Sequence, residues 1–269
     1  MKPCVFILSA ACCCVAHAQQ VSPASQEAWQ AARELTGAVR TGDMSWMVAK
    51  MYPPVKRMLA DELAMQIKYP DSVERARAVE RQSQIRRTMM DDRQTTKAAW
   101  EKYRKQELAN MAENDKALEA QYRQIGEKLK KQGMTVESFQ VSAPFSEYLV
   151  VAPSVIGGGV SNRKDDLARE GVDESRVEEG KAQSRIVVLP TTIVYSAPDV
   201  DGNRTRMEKK SYLFAIRDER TANESAKARL NKWFFLDAST DVKVLRSFFP
   251  DLPLGVRLPS TSVRPLPAR

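Results

Sequence analysis

The side chains best suited to nucleophilic and soft-metal chemistry are confined to the first 18 residues of the chain. All four cysteines lie there, at Cys4, Cys12, Cys13 and Cys14, together with the single histidine, His17. Without them, the chain cannot build a thiol nucleophile, a disulfide, a Ser-His or Cys-His pair, or a zinc site of imidazole and thiolate ligands. Acid–base chemistry would then fall to carboxylates, lysines and tyrosines. We therefore assign no catalytic residue and expect no metal and no cofactor.

The same segment has the three parts of a secretory signal peptide. Lys2 supplies the positive end, residues 5–16 form the apolar run, and Ala16-His17-Ala18 provides the small-x-small cleavage sequence. The run is shorter than the roughly 20 residues of a membrane span. We therefore predict a signal peptide over residues 1–18, export to the periplasm or the medium, and no transmembrane span after cleavage. Attachment of a lipid to a cysteine of this segment is the less favoured alternative.

The charge balance indicates which surfaces the protein could meet. The chain carries 42 Lys and Arg residues against 34 Asp and Glu residues. Such an excess favours contact with acidic surfaces. Nucleic acid is the usual partner, but an exported protein rarely meets it, and no zinc-finger or RNA-binding motif is present. We therefore predict no nucleic-acid partner and name an anionic component of the cell envelope as a candidate partner.

Residues 19–70 have the apolar spacing of helices. Ala28, Ala32, Leu35 and Val39 fall on one face of a first helix. Glycine and proline residues then divide the segment into three helices in total.

Residues 71–131 contain almost nothing that breaks a helix, and their apolar side chains form a thin stripe among charged ones. This pattern is typical of a helical hairpin or coiled arm rather than of a helix in a core. Met89-Met90-Asp91-Asp92 is the predicted elbow, and one continuous helix is the alternative. The arm would serve self-association into a homo-oligomer or the docking of a partner, or it would be a rigid spacer.

From residue 132 the apolar period changes from helical to two, which predicts strands. Asp201-Gly202-Asn203 predicts the tight turn of a hairpin, and Pro190 predicts an edge strand or a bulge. We assign residues 132–249 to an antiparallel sheet with a short closing helix and residues 250–269 to a Pro-rich extended tail. The predicted strands are Val136 to Val141, Tyr148 to Ala152, Ile186 to Tyr195, Lys209 to Ile216 and Lys232 to Leu236.

Helices followed by a sheet that ends in Lys232-Trp233-Phe234-Phe235-Leu236-Asp237 resemble the NTF2-like superfamily, which has a cystatin-like α+β fold. Thr41-Gly42-Asp43, Met51 to Val55 and Lys131 to Met134 are similar to local sequences of its small exported bacterial members. The resemblance implies an α+β fold of three N-terminal helices packed on a curved antiparallel sheet. The inserted helical hairpin or coiled arm departs from the superfamily pattern.

The resemblance also implies a cone-shaped cavity between the helices and the sheet. The candidate ligand-binding residues of such a cavity are Trp46, Tyr52, Tyr148, Tyr212 and Trp233, with Asp237 as the nearest polar group. Aromatic side chains also dominate ordinary cores, so packing is the competing interpretation for each of them. We predict an exported, non-catalytic binding or assembly module.

The alternative is a cavity enzyme similar to the isomerases and dehydratases of this superfamily. Such chemistry needs a carboxylate of tuned pKa and a donor that holds an oxyanion. Glu147 is the one carboxylate that the sequence isolates on an apolar strand face, and Tyr148, Tyr195 and Tyr212 are candidate donors.

Overall fold

The computed structural model describes residues 21–42, 44–89, 96–151, 155–156, 159–160, 183–199, 201–220, 230–249 and 251–267. Within these ranges the chain is an α+β protein in which helices precede an antiparallel sheet, and this confirms the predicted fold class. The predicted signal peptide, the predicted elbow beyond Met89 and residues 161–182 lie outside the described residues.

Four helices occupy the described part of residues 21–70: α1 (Pro23–Arg33), α2 (Thr36–Thr41), α3 (Ser45–Lys50) and α4 (Pro53–Lys68). The first predicted helix is therefore split, because the Leu35 N–H donates to the Ala32 carbonyl at 3.1 Å in a tight turn. Thr36 and Gly37 follow this turn, and both residue types form helices poorly. The turn redirects the chain while Leu35 stays buried.

The arm consists of two helices, α5 (Ser72–Met89) and α6 (Lys97–Lys131). They are not one continuous helix, because Thr96 has an extended backbone and its side chain caps α6 by accepting from the Ala99 N–H. Near their junction Arg86 forms an ion pair with Glu107 at 2.5 Å. Contacts between the two helices are otherwise few.

The C-terminal half of α6 leaves the arm and packs against α3 and α4. Leu118 is buried there in a cluster with Val48 and Ala60. At the rim of this contact Lys56 on α4 pairs with Asp115 on α6 at 2.9 Å. One end of α6 is therefore part of the body, whereas the other carries the exposed arm.

In the described part of the chain, six strands form one antiparallel sheet around a long central hairpin. The predicted turn at Asp201-Gly202-Asn203 joins the two central strands, and Gly202 has φ 82°, a left-handed conformation that suits glycine. The strands are β1 (Thr135–Val141), β2 (Ser146–Val151), β5 (Gln183–Pro198), β6 (Arg204–Arg220), β7 (Phe234–Asp237) and β8 (Ser262–Leu266), with a separate short pair of β3 (Val155–Ile156) and β4 (Gly159–Val160); the closing helix is α7 (Val242–Phe248).

Pro190 lies in β5, which is a central strand, so the prediction of an edge or a bulge at this residue is wrong. Its carbonyl accepts from the Ser142 N–H at 2.8 Å, on the side where β5 changes partner from β1 to β2. The N and C=O of one strand residue point to the same side. Proline has no N–H, so β5 lacks one hydrogen-bond donor at residue 190. This donor would point to the junction between β1 and β2, where the ladder is already interrupted.

Apolar side chains are buried on both faces of the sheet. Phe214 and Ile216 of β6 pack with Tyr52 and Phe249 on one face. The alternating residues Leu213 and Ala215 pack on the other face, against α1. The helices therefore wrap the sheet rather than covering one side of it.

Candidate functional site

A cavity of about 940 Å³ lies between the helices α2, α3, α4 and α6 and the sheet. Its walls are largely apolar and include the half-buried Met47 of α3, Met58 of α4 and Ile193 of β5, together with Met44 just before α3. Its volume lies within the range of about 300–1,000 Å³ that is typical of small-molecule sites. The space between helices and sheet is therefore open rather than filled by side chains.

Gly126 fixes the position of α6, which forms one wall of the cavity. A Cβ atom at Gly126 would lie 2.7 Å from the Gly42 carbonyl oxygen, far closer than such atoms approach. Gly42 itself has φ 65° and ends α2 in the left-handed conformation. The close approach of these two glycines brings α6 against the turn between α2 and α3.

Three of the six candidate ligand-binding residues line this cavity, namely Trp46, Tyr212 and Asp237. They come from α3, β6 and the end of β7. The register of β6 and β7 brings two of them together, because Asp237 pairs with Leu213, the neighbour of Tyr212. The structure therefore brings together residues that are far apart in the sequence.

The other three candidates lie elsewhere. Tyr52 is buried in the core, where its hydroxyl donates to the buried Asp218 carboxylate at 3.0 Å. The Tyr148 hydroxyl accepts from the Arg257 N–H at 2.7 Å, so this ring holds the C-terminal tail against β2. The Trp233 ring carries the Arg217 guanidinium 4.6 Å from its centre. Each of these rings has a packing role.

Asp237 marks a polar end of the cavity. One carboxylate oxygen, Oδ1, accepts from the Ser239 N–H at 3.1 Å and from the Ser239 hydroxyl. The other oxygen, Oδ2, has no hydrogen-bond donor within the described ranges. Asp241 lines the same end and caps α7 by accepting from the Lys243 N–H.

Two tyrosines face these carboxylates. Burial raises the pKa of Tyr122 above its usual value, and the Asp237 charge raises it further. Burial likewise raises the pKa of Tyr212, with additional effects from Asp241 and Asp237. Both phenols therefore stay protonated at neutral pH and can donate hydrogen bonds to a bound molecule.

The opposite end of the cavity is basic. Arg40 on α2, Lys130 on α6 and Lys209 on β6 line it, and all three side chains are exposed. None of them has an ion-pair partner in the part of the chain that the structure describes. Cations and carboxylates thus stand at different ends of one apolar space.

Glu147, the carboxylate that the sequence isolates, is in a separate region at the start of α1. Ser22 and Ser25 donate to it through their hydroxyl groups, and Arg185 forms an ion pair with it. Burial alone would raise its pKa, but these donors outweigh burial and lower the pKa below the usual value. Glu147 is therefore a structural carboxylate that is ionised at neutral pH, and it does not line the cavity.

Sequence reasoning missed the contribution of Tyr122 and of the basic residues. Tyr122 belongs to the thin apolar stripe of residues 71–131, and the sequence assigns that whole segment to the arm. A useful signal was Gly126, since glycine within a helix marks a close approach of another backbone. The basic residues gave no signal, because lysines and arginines occur throughout the chain.

The arrangement suits binding of a small apolar molecule with polar contacts at its ends. Among the described residues, no cluster of His, Cys, Asp or Glu side chains could hold a metal ion. Nor does any helix in these ranges combine the length and the apolar content of a bilayer span. Comparisons with protein-family models, curated proteins and solved structures found no match. The likeness to the NTF2-like superfamily therefore remains a prediction from the sequence.

Proposed function

We propose that this protein is an exported, non-catalytic binding module whose cavity holds a small apolar molecule. The observation that supports this most is an open, largely apolar space of about 940 Å³ beside a well-packed core. Export rests on the signal-like sequence of residues 1–18 alone. The protonated tyrosines at one end would orient the bound molecule.

A neutral fluorescent dye tests this proposal. Nile red should bind the purified chain with one site and an increase in emission, because the cavity wall is apolar. Leu129→Trp on α6 should weaken this binding roughly tenfold, which corresponds to about 1.4 kcal/mol. The indole of this variant would occupy part of the cavity that Leu129 lines.

The matched control is Leu108→Trp, which makes the same change on the same helix. Leu108 is 54% exposed and lies outside the cavity wall. Unchanged dye binding in Leu108→Trp and weaker binding in Leu129→Trp would support the proposal. Equal dye binding by both variants and the parent chain would contradict it.

We also propose that the arm serves self-association or the docking of a partner. Its support is a set of exposed apolar side chains on α5 and α6, namely Val73, Val79, Ile85 and Leu108. Exposed apolar side chains of this kind are available for contact with a second surface. The arm could equally place the body at a fixed distance from a partner.

Light scattering over a range of concentrations tests the self-association role. If the arm self-associates, Val79→Gln combined with Ile85→Gln should shift a dimer toward the monomer. Ile67→Gln on α4 is the control, because this side chain is also exposed but lies outside the arm. A parent chain that is monomeric at every concentration would exclude self-association.

A second candidate function is the cavity enzyme of the isomerase or dehydratase type. One observation favours it: Asp237 lies at the end of the cavity near Tyr122 and Tyr212, so a carboxylate base and phenolic donors are close together. Isomerisation of a β,γ-unsaturated cyclic ketone, followed by absorbance, tests for such activity. A rate that exceeds that in buffer and is lost in Asp237→Asn would favour the enzyme, and a rate equal to that in buffer would exclude this reaction.

A further inference from the structure

The cavity has opposite charges at its two ends, and its length can be estimated along two different elements. On α6, Tyr122 and Lys130 are eight residues apart, or about 12 Å at the helical rise of 1.5 Å per residue. On β6, Leu213 pairs with Asp237, and Lys209 lies four residues away, or about 13 Å at the strand rise. The two estimates agree.

The helix α6 and the strand β6 run antiparallel between the two ends of the cavity. Beyond Lys130, a Cβ at Gly133 would lie 3.4 Å from the Pro198 ring, at the end of β5 that pairs with the start of β6. Moving toward the C-terminus of α6 therefore corresponds to moving toward the N-terminus of β6. Lys130 and Lys209 are consequently at one end, and Tyr122 and Asp237 at the other.

The space between the ends offers few groups that could bind a charge. Met44, Met47 and Ile193 line it and are half-buried, so an apolar chain would contact them while excluding water. Methionine side chains adapt to irregular apolar shapes. The wall therefore fits a flexible chain rather than one rigid ring system.

We propose that the ligand is an elongated apolar monoanion whose carboxylate or other anionic group lies at the basic end, between Arg40, Lys130 and Lys209. This inference rests on the proposed binding function and adds the chemical class and the orientation of the ligand. The apolar chain runs along α6 toward Tyr122. Asp237 and Asp241 at the far end repel a second anionic group, so a molecule charged at both ends is excluded.

Competition with Nile red tests the charge preference at low ionic strength. Decanoate and decanol have the same chain and differ in their head group. Decanoate should displace the dye at a roughly three- to tenfold lower concentration, the range expected for contacts with exposed cations. The preference should shrink in high salt, because such contacts are screened. Decanedioate, which is charged at both ends, should compete less well than decanoate.

Paired variants locate the preference. Lys130→Gln with Lys209→Gln should bring the decanoate and decanol values together, because it weakens decanoate binding more than decanol binding. Lys131→Gln with Lys210→Gln is the control, because it removes the same charge from neighbouring exposed residues that do not line the cavity. In the control the preference for decanoate should persist.

Three results would overturn the inference: equal competition by decanoate and decanol, an equal loss of preference in both double variants, or tighter binding of decanedioate. If decanoate and decanol compete equally while Leu129→Trp still weakens Nile red binding, only the ligand class is overturned. The proposed binding function then stands. If neither Nile red nor decanoate binds, both proposals fail. Competition by a soluble short-chain phosphatidylglycerol, compared with that by decanoate, distinguishes a lipid source from a free carboxylate. Whichever of the two anions binds should lose affinity in Lys130→Gln with Lys209→Gln, because both would place their charge at the same basic end.

Discussion

Glu147 and Asp237 are both half-buried carboxylates beside hydroxyl groups, but they lie in regions of opposite character. Glu147 receives hydrogen bonds from two serines and an ion pair from Arg185, so both of its oxygens are occupied. Asp237 receives donors from Ser239 on one oxygen only and borders a cavity. A carboxylate with saturated hydrogen bonds stabilises the fold, whereas one with an accepting oxygen remaining can meet a ligand.

The region around Glu147 is a connected network of charges. Arg185 contacts both Glu147 and Glu219, and Arg217 extends the network to Glu27 on α1. These contacts tie the first helix to β2, β5 and β6. The cavity region has no comparable network within the described residues, and its cations and carboxylates are separated by apolar walls. We therefore expect the Glu147 region to contribute stability, and we propose binding for the cavity region.

The largest expected effect is that of Arg185→Met. This change leaves Glu147 and Glu219 without their shared cation, and we expect a loss of about 2–4 kcal/mol in the free energy of unfolding. Urea denaturation measures it. The control is Arg264→Met, which removes a 61% exposed partner of Glu208 and should cost less than about 0.5 kcal/mol. Similar losses in both variants would show that the network contributes no more than a surface pair.

Gly126→Ala should have the next largest effect, on the side of the cavity. The new methyl group would meet the Gly42 carbonyl at 2.7 Å and force α6 outward. We expect a loss of about 1–3 kcal/mol, as is typical of overpacking, together with altered Nile red binding. Gly37→Ala is the control, because its Cβ would meet nothing within 4 Å. An equal melting temperature in both variants would mean that the glycine contact does not fix α6.

Acid should weaken the charge network around Glu147. Hydrogen bonding from Arg185 lowers the pKa of Glu219, and the donors around Glu147 lower its pKa despite burial. A carboxylate whose folded pKa is depressed stabilises the fold above its unfolded pKa and loses that contribution as pH falls through the folded value. Unfolding free energy should therefore fall as the pH drops below the ordinary value of 4.5.

Glu147→Gln gives the matching control for this pH dependence. The variant should be less stable at neutral pH, and its stability should decline less steeply in acid because one of the two titrating groups is gone. Asp237→Asn should retain the steep decline of the parent chain. If Glu147→Gln has the same slope as the parent, the network is not the source of the acid sensitivity.

The sequence was sufficient where local pattern determines structure. The period-two segments predict five strands of the sheet, and Asp201-Gly202-Asn203 predicts the central hairpin, because alternation and turn chemistry act over a few residues. The tail contributes an additional strand, β8, that pairs with β6 although its sequence reads only as extended. Pairing of that strand depends on an edge of β6 that β7 leaves open.

The site was less predictable because it depends on contacts between distant residues. From the sequence, Tyr52 is a candidate cavity residue, but in the structure its hydroxyl binds Asp218, which lies 166 residues away. The sequence assigns Tyr122 to the arm, but in the structure this part of α6 packs on α3 and α4. Aromatic content alone does not distinguish a ring that fills a core from one that borders a cavity.

The smallest expected effect tests the electrostatic character of the cavity end directly. In Asp237→Asn the pKa values of Tyr122 and Tyr212 should both fall, because removing the carboxylate removes a charge that disfavours the phenolate. Both should stay above the ordinary value of 10.0, since burial persists. The change in unfolding free energy should be below about 1 kcal/mol, because Asn can still accept from the Ser239 N–H.

Absorbance of the phenolate during an alkaline titration measures this shift. The chain has 7 tyrosines, so the high-pH part of the curve should move while the remainder stays in place. Asp201→Asn in the exposed hairpin turn is the control and should leave the whole curve unchanged. If Asp237→Asn also leaves the curve unchanged, Asp237 does not act on the tyrosines. Glu147 and Asp237 would then differ only in the number of donors that each carboxylate receives. A shift would show that this carboxylate acts on the groups that line the cavity, as a ligand-facing residue must.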